Sequence, residues 1–580
     1  MQTVDFTTLT AICAELRQDW LPSRLEQVYQ RDRYCLALAL RTLKGRGWLT
    51  VSWHPQAARV CIDDPPPRSP DTYTFSHQLR HQLGGLALVS IETSPWERVL
   101  DLQFARRPDE ACLWHLYVEI MGKYSNVVLA TADQQVVTAA HQVGSQQSSV
   151  RTIQTGQPYQ SPPALRDPQP ALGESQAQWQ ERVSLVPGKL WKTLLQNYRG
   201  LSPSLTRQMA QAAGLDPNQS TDELGVADWT RLFGRWQEWL QRLEEKAFAP
   251  GWLALGYTVM PWSAIAPAPS VQALVAQYYR DQLNQQDFAQ LRHQLQQKLA
   301  NLLKKLRTKA DDFRQRLQQS DQADQYRERA DLLMAYLHEW KPGMTAIHLA
   351  DFETGEPVKI PLDPTKNAVQ NAQGFYKRHQ KMKRSRGAIE PLLRDVEAEM
   401  AYLEQVEVAI AQPETYQVPD DLASLRDVQE ELQQQGYLGE ASRQVRTEKT
   451  PFHRYQSPSG FDIVVGRNNR QNDELTFKVA TEYDLWLHTQ EIPGSHVLLR
   501  LDPGAVAQEA DLQTAADLAA YHSRARQSEQ APVVYTDLKH VYKPKGAKPG
   551  MVIYKAETVI WGRSQVGKAI ALGQQAEALH

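Results

Sequence analysis

Two apolar seams in the middle of the chain restrict its fold more than any other feature. Leu295, Leu299, Leu302, Leu306, Ala310, Phe313 and Leu317 recur by fours and threes, as do Ile389, Leu393, Val396, Met400, Leu403, Val406 and Ile410. Such spacing puts each set on one stripe of a helix, the pattern of a coiled-coil seam. Between them lie Thr345-Ala-Ile-His-Leu349, Thr354-Gly355 and Val358-Lys-Ile360, which read as a hairpin-like insert. Two seams separated by a compact insert predict an antiparallel coiled-coil arm over 270–440 with a small tip at about 341–365. Seams can also pair between chains, so periodicity leaves the oligomeric state open.

A chain of 580 residues exceeds one core and predicts several domains. Residues 1–170 alternate as a mixed α/β domain. Helices are expected at Leu9–Leu16 and Phe75–Leu83, the second opening with Ser76 as a cap. Strands are expected at Tyr34–Leu43, Trp48–Trp53, Ala87–Glu92, Val99–Phe104 and Leu113–Ile120, and a linker at Arg151–Pro170. Residues 175–265 are Trp-rich and read as helical. Leu194-Leu195, Tyr198-Arg-Gly200-Leu-Ser-Pro203 and Met209-Ala210 there resemble a helix-hairpin-helix, whose turn can offer N–H groups to phosphate. Ser202-Pro203 stands where its second glycine is expected; an ordinary helical hairpin is the simpler reading. The last domain, 445–570, alternates again, with strands at Phe461–Gly466, Leu475–Ala480, Val497–Leu501, Val533–Thr536 and Val552–Lys555, and a helix at Ala510–Ser523. The fold class is multidomain α+β.

With a net charge of −2 and 42% hydrophobic residues, the composition is that of an ordinary soluble protein, and segregated charge still permits an RNA partner. No apolar run approaches the roughly 20 residues that span a bilayer, so no membrane partner is expected. Met1-Gln-Thr-Val-Asp5 lacks a signal-peptide pattern. Cys13, Cys35, Cys61 and Cys112 form no CxxC pair. Neither a disulfide framework, a zinc site nor any cofactor is indicated, and the expected compartment is a reducing cytoplasm.

The densest recognition chemistry lies near the C-terminus. Gly466-Arg467-Asn468-Asn469-Arg470 is followed by Asp484-Leu-Trp486-Leu-His488 and Ile492-Pro-Gly-Ser495-His496. Amide, guanidinium, imidazole and indole groups suit planar, charged, hydrogen-bonding partners, and RNA offers all three. Few of them are expected in a core. Lys539, Lys543, Lys545 and Lys548 stud a stiff loop ending at Gly550. On the arm, Lys366, Lys377, Arg378, Lys381, Lys383, Arg384 and Arg386 form an acid-free run. Lys304, Lys305, Arg307, Lys309, Arg314 and Arg316 sit on the first seam helix. Charge runs are usually solvated helix faces, but these flank one hairpin and together suit phosphate contact. Gly562–Ala569 narrowly misses a P-loop, because Ala569 cannot ligate Mg²⁺ as Ser or Thr would. Asp484, His488, Ser495 and His496 invite a triad, yet no GxSxG elbow accompanies them. No catalytic constellation emerges, and a binding factor rather than an enzyme is expected.

Several stretches occur in an order that resembles the NFACT family, older label fibronectin-binding protein A-like. They are Glu119-Ile-Met-Gly-Lys-Tyr-Ser-Asn126, Arg151-Thr-Ile-Gln-Thr-Gly-Gln-Pro-Tyr159, Leu362-Asp-Pro364 with Asn367-Ala368, Gly466–Asp473, Asp484–His488, Ile492–His496 and Lys539–Gly550. The resemblance covers nearly the whole chain. It implies a glycosylase-like N-terminal domain, a helix-hairpin-helix domain, the arm and an RNA-binding domain. It also implies a ribosome quality-control factor. Such proteins bind split large subunits carrying peptidyl-tRNA and recruit aminoacyl-tRNA, usually alanyl, for mRNA-independent tailing by the ribosome. The family's Asp-Arg pair for tRNA falls on Glu97-Arg98, and Glu119, Ile120, Met121 and Arg80 fall with its tRNA-contacting positions. Glu119 is expected to be the exposed one. The glutamate shifts the carboxylate's reach and puts the choice of tRNA in question. Gln2-Thr3 replaces the proline and glutamate of glycosylase chemistry, so base excision and a DNA partner are not expected. The old label suggests the alternative of a surface adhesin for matrix proteins. The missing signal pattern argues against it.

Overall fold

The computed structural model describes residues 1–578 except 68–69, 149, 164–166, 263, 321 and 440–449. The domain start expected near 445 lies outside the described residues, as does part of the expected linker. The chain divides into two compact units, Met1–Asn284 and Gln285–His580.

The first unit is built on one antiparallel sheet. Its strands are β1 (Ser23–Asp32), β2 (Cys35–Arg41), β3 (Arg46–Ser52), β4 (Arg59–Asp63), β5 (Ala87–Thr93), β6 (Val99–Ala105), β7 (Trp114–Glu119), β8 (Asn126–Thr131) and β9 (Val136–Ala139). They lie in the order β4-β3-β2-β1-β5-β6-β7-β8-β9. Helix α1 (Phe6–Trp20) is capped by the Asp5 carboxylate, which accepts from Thr8 N–H at 2.8 Å. It packs Leu9, Ile12 and Leu16 against Leu38, Leu49 and Leu102 in the main core. Helix α2 (Thr74–Leu83) starts earlier than expected, and Ser76 is not its cap. The Ser76 hydroxyl is buried inside the first turn and donates to Asp71 at 2.8 Å.

Helices α3 (Gln176–Ser184), α4 (Leu190–Asn197), α5 (Pro203–Ala212) and α6 (Val226–Glu245) bury Trp179, Trp229, Trp236 and Trp239 in a second core. The segment expected to be helical also holds two short strands, β10 (Gly251–Leu253) and β11 (Gly256–Thr258), and β12 (Ala266–Pro267) follows just beyond it. The turn between α4 and α5 is used internally. Ser202 caps α5, accepting from Leu205 N–H at 3.0 Å and donating to Asp5 at 2.6 Å. Gly200 has φ +80°, and a Cβ there would lie 2.6 Å from the Trp96 ring. The turn is therefore packed against Trp96, which accounts for its residues without a phosphate.

Helix α7 (Val271–Ser320) carries the first seam. In the second unit its Leu295, Leu299 and Leu303 meet Leu403, Val406 and Ile410 of α9 (Ala368–Ala411). Arg307–Glu404 at 3.2 Å and Arg314–Glu397 at 2.7 Å run in opposite directions along the two helices, so the pairing is antiparallel and within one chain. Between them, α8 (Ala323–Ala335) and the hairpin β13 (Ala346–Ala350)–β14 (Pro357–Pro361) form a tip with its own core of Leu333, Ile347, Ile360 and Phe375. The hairpin matches expectation; α8 does not appear in it. Helix α10 (Pro419–Gln434) adds Leu422, Leu425 and Val428 to the base of the coil.

The rest of the unit is an antiparallel sheet of β15 (His453–Gln456), β16 (Asp462–Val465), β17 (Leu485–Thr489), β18 (Val497–Leu499), β19 (Ala531–Asp537) and β22 (Thr558–Gly562), in the order β15-β16-β18-β17-β19-β22. A short pair, β20 (Val541–Tyr542) and β21 (Ile553–Tyr554), brackets the lysine loop. Helices α12 (Glu509–Tyr521) and α13 (Ser564–Ala578) cover one face. The expected strand at Leu475–Ala480 is instead a π-helical turn, Leu475–Val479, continuing α11 (Asn469–Glu474). Alternation of buried and exposed positions over so short a run fits either conformation. We expect Leu403→Ala to destabilise this unit by about 2–5 kcal/mol in urea unfolding. Leu392→Ala, 48% exposed on the same helix, should stay within about 0.5 kcal/mol. Equal midpoints for the two variants would contradict the antiparallel seam.

Candidate nucleic-acid interface

Contrary to expectation, most of the C-terminal polar motif is interior. Asn468, Asn469, Asp484, Trp486, Ser495 and His496 are all buried. Asn468 caps α11, accepting from Gln471 N–H at 2.9 Å. Asn469 donates to Glu431 on α10 at 3.1 Å, and Tyr402 of α9 donates to the same carboxylate oxygen at 2.7 Å. Arg467 lies 3.8 Å from Asp420, while Arg470 donates to Gln434 at 3.0 Å and lies 3.5 Å from Glu430. The Gly466–Arg470 segment thus clasps α10.

The second half of the motif clasps α9. Ser495 accepts from Gln412 at 2.9 Å, and Gly494 N–H donates to Gln405 at 2.9 Å. Asp484 accepts from Thr481 N–H at 2.8 Å and Leu501 N–H at 3.2 Å, which closes its own turn. Trp486 packs edge-on to His496 at 5.1 Å and stacks with His488 at 5.8 Å. His496 Nδ1 lies 2.7 Å from the Thr476 hydroxyl, and His488 Nε2 lies 3.3 Å from the Gly494 carbonyl. Each ring has a structural partner, and Ser495 is held by Gln412 rather than by an imidazole. Burial pushes His488 down to about 4 and His496 to about 3, the nearby His488 adding to the latter shift. Both rings are neutral at pH 7.

The exposed chemistry lies on the lysine loop and the arm. Lys539, Lys543 and Lys545 are exposed, with Tyr542 between them. Lys548 is half-buried, its ammonium over the Tyr402 and Tyr437 rings at 4.8 and 4.6 Å. Lys543 pairs with Asp473, which also accepts from Gly550 N–H at 3.0 Å. A cleft of about 600 Å³ between loop and helix is lined by Arg470, Lys478, Lys543 and the exposed Phe477, with Asp473 and Glu474. On the arm, Lys377, Arg378, Lys381 and Lys383 are all exposed. The α7 cations differ. Arg307 and Arg314 pair across the coil and Arg316 pairs with Asp312 at 3.0 Å, while Lys304, Lys305 and Lys309 are exposed.

In the first unit, Glu97 and Arg98 are half-buried in the β5–β6 turn. Trp96 holds that turn with φ 57° and its ring 4.8 Å from Phe6 and 5.9 Å from Trp239. Glu119 is not exposed. It is buried and receives two bonds from Arg151, at 2.9 and 2.5 Å, and one from Tyr159 at 2.9 Å. Ile120 is a core residue, Met121 is half-buried, and exposed Arg80 donates to the Val28 carbonyl at 3.0 Å.

The NFACT N-terminal and middle domains match residues 5–451, and the NFACT protein RNA-binding domain matches residues 451–556. The chain belongs to the NFACT family. It is 30% identical over 561 residues to the Rqc2 homolog RqcH of Streptococcus suis, covering 94% of this chain and 95% of that one. It is 29% identical over 566 residues to the Rqc2 homolog RqcH of Bacillus subtilis, with the same coverage of 94% and 95%. Among solved structures, the C-terminal part of the fibronectin/fibrinogen-binding protein of S. suis shares 29% identity, with a TM-score of 0.38, over 49% of this chain and 98% of that one.

Sequence reasoning missed the partners that the NFACT motifs clasp: Tyr402 and Gln405 lie on a helix read only for its seam, Gln412 caps that helix, and Glu431 lies on α10, which carries no seam. It also missed Phe477 and Lys478, which the strand expectation hid. Two outcomes follow from this geometry. Glu119→Ala should lower the stability of the first unit by about 2–4 kcal/mol, since it leaves half-buried Arg151 without its carboxylate. Arg98→Ala should leave the melting temperature unchanged; equal losses would contradict the assignment. The second outcome concerns pH. An unfolded imidazole titrates near 6.5, while burial holds His488 and His496 far lower, and His522 likewise, at about 3, so below that pH the unfolded chain binds protons that these three folded rings do not. Stability is full above about 6.5 and falls as pH drops, approaching about 4 kcal/mol per pH unit between roughly 5.5 and 4.5. Urea titrations from pH 7 to 4.5 check this, and a flat midpoint would contradict it.

Proposed function

We propose that this chain is a ribosome-associated quality-control factor that binds split large ribosomal subunits carrying peptidyl-tRNA. It recruits aminoacyl-tRNA, alanyl-tRNA in the first instance, for mRNA-independent tailing of the stalled chain. The observation that carries this reading is the near-full-length likeness to RqcH proteins, with a family RNA-binding domain at residues 451–556. The exposed lysines on the loop and on α9 support it, since contacts between cations and phosphates supply a large share of the affinity for a nucleic acid. Peptide-bond formation belongs to the ribosome in this reading, and the protein acts by positioning.

The expected site residues divide into two kinds. Lys377, Arg378, Lys381, Lys383, Lys539, Lys543 and Lys545 contact RNA phosphates. Arg467, Asn468, Asn469, Arg470, Asp484, Trp486, His488, Ser495, His496 and Lys548 hold the domain that presents them. Glu97 and Arg98 contact tRNA from a turn fixed by Trp96, and Arg80 flanks it. Glu119, Ile120 and Met121 support that site from beneath.

Arg98→Ala should abolish tRNA co-purification while large-subunit binding persists; unchanged tRNA recovery would sink this assignment. Reversing Lys377, Arg378, Lys381 and Lys383 to Glu should weaken co-sedimentation with large subunits. If about six phosphate contacts are made, wild-type affinity should fall by roughly 10³ or more over a fourfold rise in salt. A salt-independent affinity would contradict an electrostatic arm.

A further inference from the structure

The Arg467 guanidinium is misplaced for a surface contact. Its side chain is only 11% exposed, and its nearest carboxylate, Asp420, is 3.8 Å away and itself 42% exposed. Among the described residues, its buried Nε–H has no hydrogen-bond partner. An arginine remains charged in a protein, and a buried charge is costly unless it is paired and hydrogen-bonded. Either the site carries that cost, or something not made of protein completes it.

The guanidinium opens onto a cavity of about 220 Å³, room enough for several waters or a small anion. Its walls include His453, Tyr455, His522 and Arg526, with exposed Lys568 at the rim. The rings of His453 and His522 are 5.0 Å apart, and the Tyr455 hydroxyl lies 3.0 Å from His522 Nε2. Arg526 is fixed over the Tyr521 ring at 4.9 Å, donates to the Gln412 carbonyl at 2.8 Å and meets Glu414 only at 3.7 Å. Of the two lining acids, Asp421 is engaged in capping α10, accepting from Val418 N–H at 3.0 Å, and the Glu414 side chain is 63% exposed. Three cations therefore line the cavity, and the carboxylates nearest to Arg467 and Arg526 stand off at 3.8 and 3.7 Å. Burial, with the charges of Arg526 and Arg467, holds His522 down to about 3, so both imidazoles serve there as neutral polar groups.

We propose that this cavity is a binding site for a small tetrahedral oxyanion of the phosphate class, held by Arg467 with Arg526 and Lys568. An oxyanion would turn the unpartnered Nε–H into a charge-assisted bond, and the planar fork of arginine suits its paired oxygens. The site goes beyond the RNA-binding reading and does not depend on it: a free phosphate or the phosphate of a nucleotide satisfies the same chemistry.

The test uses the full chain in phosphate-free buffer at fixed ionic strength, titrated calorimetrically with inorganic phosphate against a chloride control. Saturable binding with a Kd in the millimolar range or tighter is expected. It should weaken at least tenfold in Arg467→Gln and several-fold in Lys568→Gln. No saturable heat, or a response that chloride reproduces, would overturn the site. So would unchanged affinity in a folded Arg467→Gln variant; if that variant fails to fold, unchanged affinity in Lys568→Gln decides against it. Titration with uridine 3′-monophosphate separates the sources: binding at least as tight as phosphate assigns a nucleotide phosphate, and weaker binding assigns the free ion.

Discussion

One buried carboxylate organises the C-terminal unit. Glu431 is 1% exposed, and moving such a group out of water costs several kcal/mol unless its lone pairs are met. Here Tyr402 from α9 and Asn469 from α11 both donate to Oε1, so three helices meet at one group, while Oε2 has no hydrogen-bond partner among the described residues. Burial pushes its pKa up, while the two donors act in the opposite direction. The lysine loop is tied to the same hub, because the Lys548 ammonium sits over the Tyr402 ring. Gly550 has φ +75°, and a Cβ there would lie 2.7 Å from the Asn469 side chain. The loop closes against the hub only with glycine at that position.

A second polar hub works alike in the first unit. Glu119 at the end of β7 gathers Arg151 and Tyr159, and Tyr159 stacks on Tyr117 at 3.8 Å. That pins the 151–159 segment to the sheet beside the β6 edge of the Glu97-Arg98 turn. In both units a buried acid fixes the backbone, and in the second the exposed lysines Lys543 and Lys545 lie on the loop tied to that acid. The division matters because a buried network gives orientation while surface cations give affinity.

The arm was legible in the sequence because its seams obey a single period, and Leu299 and Leu403 meet as that period requires. The hairpin at Ala346–Pro361 was legible from alternation around Thr354-Gly355. Strand β1 was not, since Ser23–Asp32 offers only Leu25 and Val28 as fully buried apolar residues. The motif Gly466–Asp473 was visible as chemistry and misjudged as surface. Its polar residues imply hydrogen-bond partners, and side-chain type cannot say whether those partners are RNA or a neighbouring helix. Asn469 and Ser495 find theirs on α10 and α9, tens of residues away in sequence. Glu119 was misjudged for the same reason: its carboxylate looked solvent-seeking until Arg151 supplied the countercharge.

The central claim is that buried motif residues orient the RNA-binding domain while exposed cations and aromatics touch RNA. Ultraviolet cross-linking of the full chain to purified large ribosomal subunits, with cross-linked positions read by mass spectrometry, tests it directly. The account predicts adducts at Tyr542, Phe477 and the adjoining lysines, and along Lys377–Lys383, with Trp486 and His496 unmodified. Adducts on Trp486 or His496, or none on the loop and the arm, would contradict it.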